Sequence, residues 1–366
     1  MKKLMFVILI VIFSPAFQSV GTANEPEDVH GFGIGEIMEA LPDEALDLID
    51  GIKPLELTFD AIVAEVWSLF KQEIVKPLKM FLSLVGVILL CAVAETLRDS
   101  GAKSGAAIQA FEMAGVLAGA GIMSLAIADS VVRTSQTLTV AAAFMLTFIP
   151  ILAGIMAVMG QLVSANLFNT SVLIAAQIFS QVMVGALMPL SAAILGVSIV
   201  GAVSPELKTE SLAKTVKTVV IWLLGFLATI FTGLLTVQSL ISGSTDSVAM
   251  KAVKFTVSGG IPIIGGAVSD ALGVVNGSVS ILKSTTGAFG IIALVAVCLP
   301  PLLSIVGYKI ALALAAAISD IFGVSRLSAL LKSGESVFSI ILAMVVCFVL
   351  IMLVSIALMI RIGAGG

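Results

Sequence analysis

Asp270 stands inside "SGGIPIIGGAVSDALGVVNGSVSILKS", residues 258–284, a stretch apolar enough for a membrane. A carboxylate at the centre of a bilayer costs roughly 3 kcal/mol or more and needs a paired or wet setting. On a helix over Ala267 to Lys283, Gly266, Asp270, Gly273, Gly277 and Ser280 share one face. Val268, Leu272, Val275 and Val279 share the opposite one. This small-and-polar stripe suits two tasks: close packing against a partner helix, or lining a polar route. Upstream, Gly259, Gly260 and Pro262 interrupt the helix, and irregular backbone survives at membrane depth only against protein or a watery cavity. A helix of about 16 residues is also shorter than the ~20 a crossing needs. The pattern predicts a re-entrant or broken helix here.

Other candidate residues carry packing more readily than chemistry. Gly115 and Gly119 form a GxxxG pair, a helix-packing face. Gln177 and Gln181, four apart, either line a path or hydrogen-bond across a helix pair. Cys91, Cys298 and Cys347 all lie in apolar runs and read as small buried hydrophobes rather than a disulfide framework. His30 is the single histidine, which argues against a metal site. No GxxxxGK[ST] loop, HExxH or GxSxG occurs. The sequence therefore predicts no enzyme and no cofactor, and the absence of a basic block predicts no nucleic-acid partner.

The elements that must position these residues follow from composition. Of 366 residues, 59% are hydrophobic and 11% charged, against roughly 25% charged in a soluble domain. The solvent for most of the chain is lipid. Lys2 and Lys3, the apolar run "LMFVILIVIF" and the small residues Gly21 and Ala23 read as a signal peptide over 1–23. Residues 24–77 then form an acidic exported segment. Within it, Phe59, Ile62, Val63, Val66, Trp67, Phe70 and Ile74 fall on one face of a helix capped by Thr58. An acidic amphipathic helix suits docking onto protein better than onto anionic lipid.

Residues 78–366 form the membrane domain. Segments 80–97, 107–128, 139–159, 219–237 and 337–360 read as spans. The run 169–202 would be about 51 Å long at ~1.5 Å per residue, which predicts a kink or a second crossing near Gly185 and Pro189. The run 287–318 is expected to break at Pro300 and Pro301. The fold class is all-α: a polytopic membrane protein with seven or eight transmembrane helices, some broken or kinked.

Three stretches carry a family resemblance: "FIPILAGIMAVMGQLVSANLFNTSVLIAAQ" (148–177), "VKFTVSGGIPIIGGAVSDALGVVNGSVSILKSTTGAFG" (253–290) and "CLPPLL" (298–303). With the order signal, acidic exported segment and glycine-rich membrane domain, the chain resembles the stage III sporulation protein AE family of endospore-forming bacteria. That resemblance implies a component of the channel complex joining mother cell and forespore, seated in the mother-cell membrane surrounding the forespore. It implies other membrane proteins of the complex as partners, a separate ATPase subunit, and a role in late forespore gene expression. The competing reading from the residues is a stand-alone secondary transporter, with 148–166 and 258–284 as paired broken segments. A membrane scaffold is a third. Because the chain has no phosphate-cradling loop, the protein purified without partners is expected to show no ATP turnover above background; specific turnover by this chain would refute the assignment.

Overall fold

The computed structural model describes residues 59–99, 105–203, 209–260 and 265–362. Every element among them is helical, as the apolar composition requires: a backbone amide in hydrocarbon keeps its partner only inside a helix or a closed barrel. In chain order these are α1 (Phe59–Glu73), α2 (Val75–Asp99), α3 (Gly105–Val158), α4 (Leu162–Val182), a π-helical turn (Met183–Leu187), α5 (Met188–Val203), α6 (Thr209–Gly260), α7 (Gly265–Ile321) and α8 (Ser325–Arg361). Six helical runs among the described residues are long and apolar enough to cross a membrane. The all-α polytopic class holds; the signal segment 1–23 and most of 24–77 lie outside the described residues.

Several segments that read as separate are fused. Segments 107–128 and 139–159 both belong to α3, a helix of 54 residues and about 81 Å. The polar decade between them stays helical, with Arg133 and Asp129 paired one turn apart at 3.0 Å. The run 287–318 does not break at Pro300 and Pro301: both lie inside the 57-residue α7. The carbonyls that lose an N–H partner there sit in a packed wall with Ala296 and Val297 buried, and membrane helices tolerate proline where neighbours compensate. The short helix expected over Ala267–Lys283 is likewise the opening third of α7. The run 169–202 stays one rod, and the expected irregularity is the π turn that contains Gly185 and precedes Pro189.

Two tight reversals set the topology. At α3–α4, Gly160 takes φ +79°, with Gln161 N–H donating to Met156 O at 3.0 Å and Gly160 N–H to Ala157 O at 2.9 Å. At α7–α8, Gly323 takes φ +76°, and Val324 N–H donates to Ser319 O at 3.0 Å. Both are Schellman caps, which place glycine where a side chain would be strained. Side chains lock the second reversal: Ser319 Oγ donates to Val324 O at 2.9 Å, and Lys332 pairs with Asp320 at 2.9 Å.

α8 is the mast of the bundle, its apolar span 72% buried, whereas that of α6 is 17% buried. Small residues let the rods approach. Phe148, stacked on Phe144 at 5.4 Å, lies on Gly290 of α7; Met123 lies on Gly334 of α8; Ile360 lies on Gly287. Hydroxyls inside the rods bond their own helix: Ser191 donates to Leu187 O at 2.9 Å, Ser198 to Ile194 O at 2.7 Å and Ser355 to Ile351 O at 2.7 Å. The three cysteines are buried and unpaired, as their apolar surroundings indicated.

A leucine at 290 must displace the Phe148 ring, so Gly290→Leu is expected to cost about 1–3 kcal/mol of stability. Gly225 has open space around it, so Gly225→Ala should be neutral or stabilising by up to about 1 kcal/mol. Thermal unfolding of both variants in one detergent checks the contrast.

Candidate functional site

The most connected polar assembly among the described residues joins five helices at the α3–α4 reversal. α4 begins at Leu162 with no side-chain cap of its own, so its first N–H groups point at a partner or at nothing. Asp246, buried in α6, supplies the partner. One carboxylate oxygen accepts from Val163 N–H at 3.0 Å and the other from Ser164 N–H at 2.9 Å. Ser164 Oγ donates to Ser242 Oγ at 2.9 Å, and Ser242 passes its own hydrogen to Gln238 O at 2.7 Å. A carboxylate at a helix N-terminus also meets the positive end of the helix dipole. Asp246 thus acts as an N-cap delivered from another helix.

Lys283 completes the assembly from α7. Its Nζ, 1% exposed with its side chain, donates to Gln161 Oε1 at 3.0 Å and to the Ile362 carbonyl. Ile362 is the C-cap of α8, where a cation meets the negative end of the dipole. Gln161 links the two halves: its backbone closes the α3 cap and its side chain takes the lysine. Met250 of α6 packs on Gly160, so any side chain at 160 meets both a positive φ and a sulfur. The arrangement holds no nucleophile beside a base and no hydroxyl aimed at an open cleft. It is a latch that ties three helix ends to two passing helices.

The residues singled out from sequence lie elsewhere. Asp270, Gly266 and Gly273 occupy the first turns of α7, with side chains outside the described residues. Gly277 has open space around it and Ser280 is half-buried; of the opposite face, Val275 is exposed and Val279 half-buried. Neither Gly277 nor Ser280 belongs to the latch. Gly115 lies against Cys91 of α2 and Gly119 against Leu327 of α8; a methyl group on either glycine would collide with that neighbour. Of the amphipathic face, Phe59, Ile62 and Val63 have side chains outside the described residues. Val66, Phe70 and Ile74 are half-buried, and Trp67 is exposed, stacked on Phe70 at 5.5 Å. Ile74 and Pro77 pack on Gly307 of α7, so part of that face meets the chain's own membrane domain.

Sequence reasoning missed Asp246, Ser242, Ser164, Gln161 and Lys283. One signal was present: Asp246 and Lys283 each border a long run without charge, 218–245 and 284–308. Which helix end each would serve depends on contacts 83 and 122 residues apart.

Comparison with known proteins supplies what the latch does not. The profile described as Stage III sporulation protein AE matches residues 44–363. A relative of that description from Bacillus subtilis (strain 168) is 29% identical over 188 residues, covering 51% of this chain and 46% of the relative. The match therefore spans about half the length of that relative. No solved structure is similar.

Removing the carboxylate leaves two N–H groups without an acceptor. Asp246→Ala is therefore expected to destabilise the protein by about 1–3 kcal/mol, with Asp246→Asn in between. Hydrogen exchange should quicken at Val163 and Ser164 first, while the α7–α8 reversal keeps its protection. Uniform loss of protection would show that Asp246 acts as general core rather than as a cap.

Proposed function

We propose that this chain, which belongs to the stage III sporulation protein AE family and so serves sporulation, is a membrane component of the channel or secretion-like complex linking mother cell and forespore. In this reading it sits in the mother-cell membrane surrounding the forespore. It works beside other membrane proteins of the complex, with a separate ATPase subunit, and its loss stops late forespore gene expression.

Family membership carries the reading, and the geometry favours an assembled subunit over a stand-alone transporter. The interior of the bundle is filled: Phe144, Phe148, Phe168, Phe338 and Phe348 are fully buried among their neighbours. A shallow groove of about 350 Å³ between α3 and the π turn, lined by Val131, Gln136, Val184, Met188 and Pro189 among others, has no charged residue in its wall. A solute path through one copy would need polar groups facing a cavity. A path between subunits would draw its walls from more than one chain, and the open flanks of α6 leave room for neighbours.

Tagged protein purified from sporulating cells in mild detergent is expected to bring down the other membrane proteins of the complex and its ATPase. Recovery of the chain alone, together with saturable solute uptake by vesicles containing only this chain, would replace the reading with a secondary transporter.

A further inference from the structure

Two polar levels cut across the bundle, and their spacing says where the bilayer lies. The first is an ionic belt. Lys76 of α2 reaches Asp129 of α3 at 3.5 Å, and Arg133 reaches the same carboxylate at 3.0 Å. Tyr308 of α7 lies within electrostatic range of Asp129 and Arg133, and Lys309 within range of Lys217 of α6 and Glu335 of α8. Asp129, Lys76 and Arg133 are each about half exposed, so they face water or headgroups. The second level is the latch of Asp246, Gln161 and Lys283, with Arg361 beside it at the end of α8.

Between the two levels no helix carries a charged residue. Residues 134–160 of α3 and its reversal, 218–245 of α6, 284–308 of α7 and 336–360 of α8 are all free of Asp, Glu, Lys and Arg. Each run is about 25–28 residues, or about 37–42 Å at ~1.5 Å per residue, which matches a bilayer of ~40–45 Å with its headgroups. On the far side of the belt the same test fails. Residues 80–94 of α2 and 113–128 of α3 are charge-free, but at about 15 or 16 residues they fall short of the ~20 a crossing needs. Glu112 and Asp129 bound the second run, and Leu327, next to Arg326 at the start of α8, packs on Gly119. α2 and the first half of α3 run antiparallel there, with Cys91 against Gly115, Leu84 near Gly119, and Lys76 beside Asp129.

We propose that the bilayer occupies only the layer between the belt and the latch, so that the α2–α3 hairpin over residues 80–128 stands outside the membrane instead of crossing it twice. Hydropathy reads both arms as spans because it sees composition alone. The three-dimensional contacts place both arms beyond a ring of half-exposed charges. Lys79, Asp99 and Val132 then lie on one side of the membrane, and Lys251 on the other. Two true crossings would instead put Asp99 opposite Lys79 and Val132.

The full chain, with its three cysteines replaced by alanine, carries one cysteine at 79, 99, 132 or 251 and is treated in sealed vesicles with a membrane-impermeant maleimide. Positions 79, 99 and 132 are expected to react from the same side and 251 only from the other. Reaction at 99 from the side opposite 79 and 132 overturns the proposal. A second measurement needs no substitution: the unmodified protein is irradiated in vesicles doped with a photoreactive acyl-chain probe, and its peptides are analysed by mass spectrometry. Peptides around Trp222, Ile230 and Val237, exposed on α6, should be labelled, and those around Leu90 and Leu125 spared. Comparable labelling of both sets would place the hairpin in lipid and end the idea.

Discussion

Every backbone group that enters hydrocarbon must bring its own hydrogen-bond partner, and the ends of helices are where that demand is hardest to meet. The architecture turns on how those ends are treated. At the α3–α4 reversal a glycine in the left-handed region closes the outgoing helix, and a carboxylate from α6 receives the first amides of the incoming one. At the end of α8 an ammonium group from α7 donates to a terminal carbonyl. Each partner is charged, each is buried, and each borders a long uncharged run. The helix ends thus fix the depth of α6 and α7 relative to α3, α4 and α8. Once those depths are set, close contacts such as Phe148 on Gly290 and Ile360 on Gly287 follow in register.

This division of labour explains what could be read from sequence. Apolar runs and glycine patterns specify that the chain is helical and membrane-bound, because they act locally and lipid leaves no alternative. The buried cysteines and the irregularity near Gly185 and Pro189 were legible for the same reason. The fusion of 107–128 with 139–159 was not. The intervening "DSVVRTSQTL" looks like a loop by polarity, although Asp129 and Arg133 at i and i+4 also fit a helix that leaves the hydrocarbon without ending. Asp270 drew attention as a carboxylate in a greasy stretch, while Asp246, at the end of a similar stretch, caps a helix. Nothing local separates the two. The role of Asp246 is set by a partner 83 residues away.

The filled interior bears on the kind of membrane protein this is. Aromatic side chains occupy the centre, and the rods spend their hydroxyls on their own carbonyls. Buried side-chain oxygens of Thr134, Asn169 and Gln238 find no partner within the described residues. Asn169 belongs to α4 and Gln238 to α6, the two helices that Ser164 and Ser242 join. An amide oxygen left open beside a helix that shows most of its surface to the outside gives that seam less cohesion than the packed α7–α8 pair.

The π turn at Met183–Leu187 has a consequence for how this rod can change length. Buried positions before it include Val172, Ala175, Ala176 and Phe179, and after it Met188, Ser191, Ile194 and Ser198. In an unbroken α-helix each residue advances the face by about 100°. The wider turn absorbs one residue's worth of that rotation, keeping both halves of the stripe pointed at the bundle. Loss of a single residue there would leave composition and hydropathy almost untouched. It would nevertheless swing Ser191, Ile194 and Ser198 toward the outside. The rod therefore behaves like a gear with a fixed number of teeth: side chains along it can be exchanged, but its count between the reversal at Gly160 and the end of α5 is constrained.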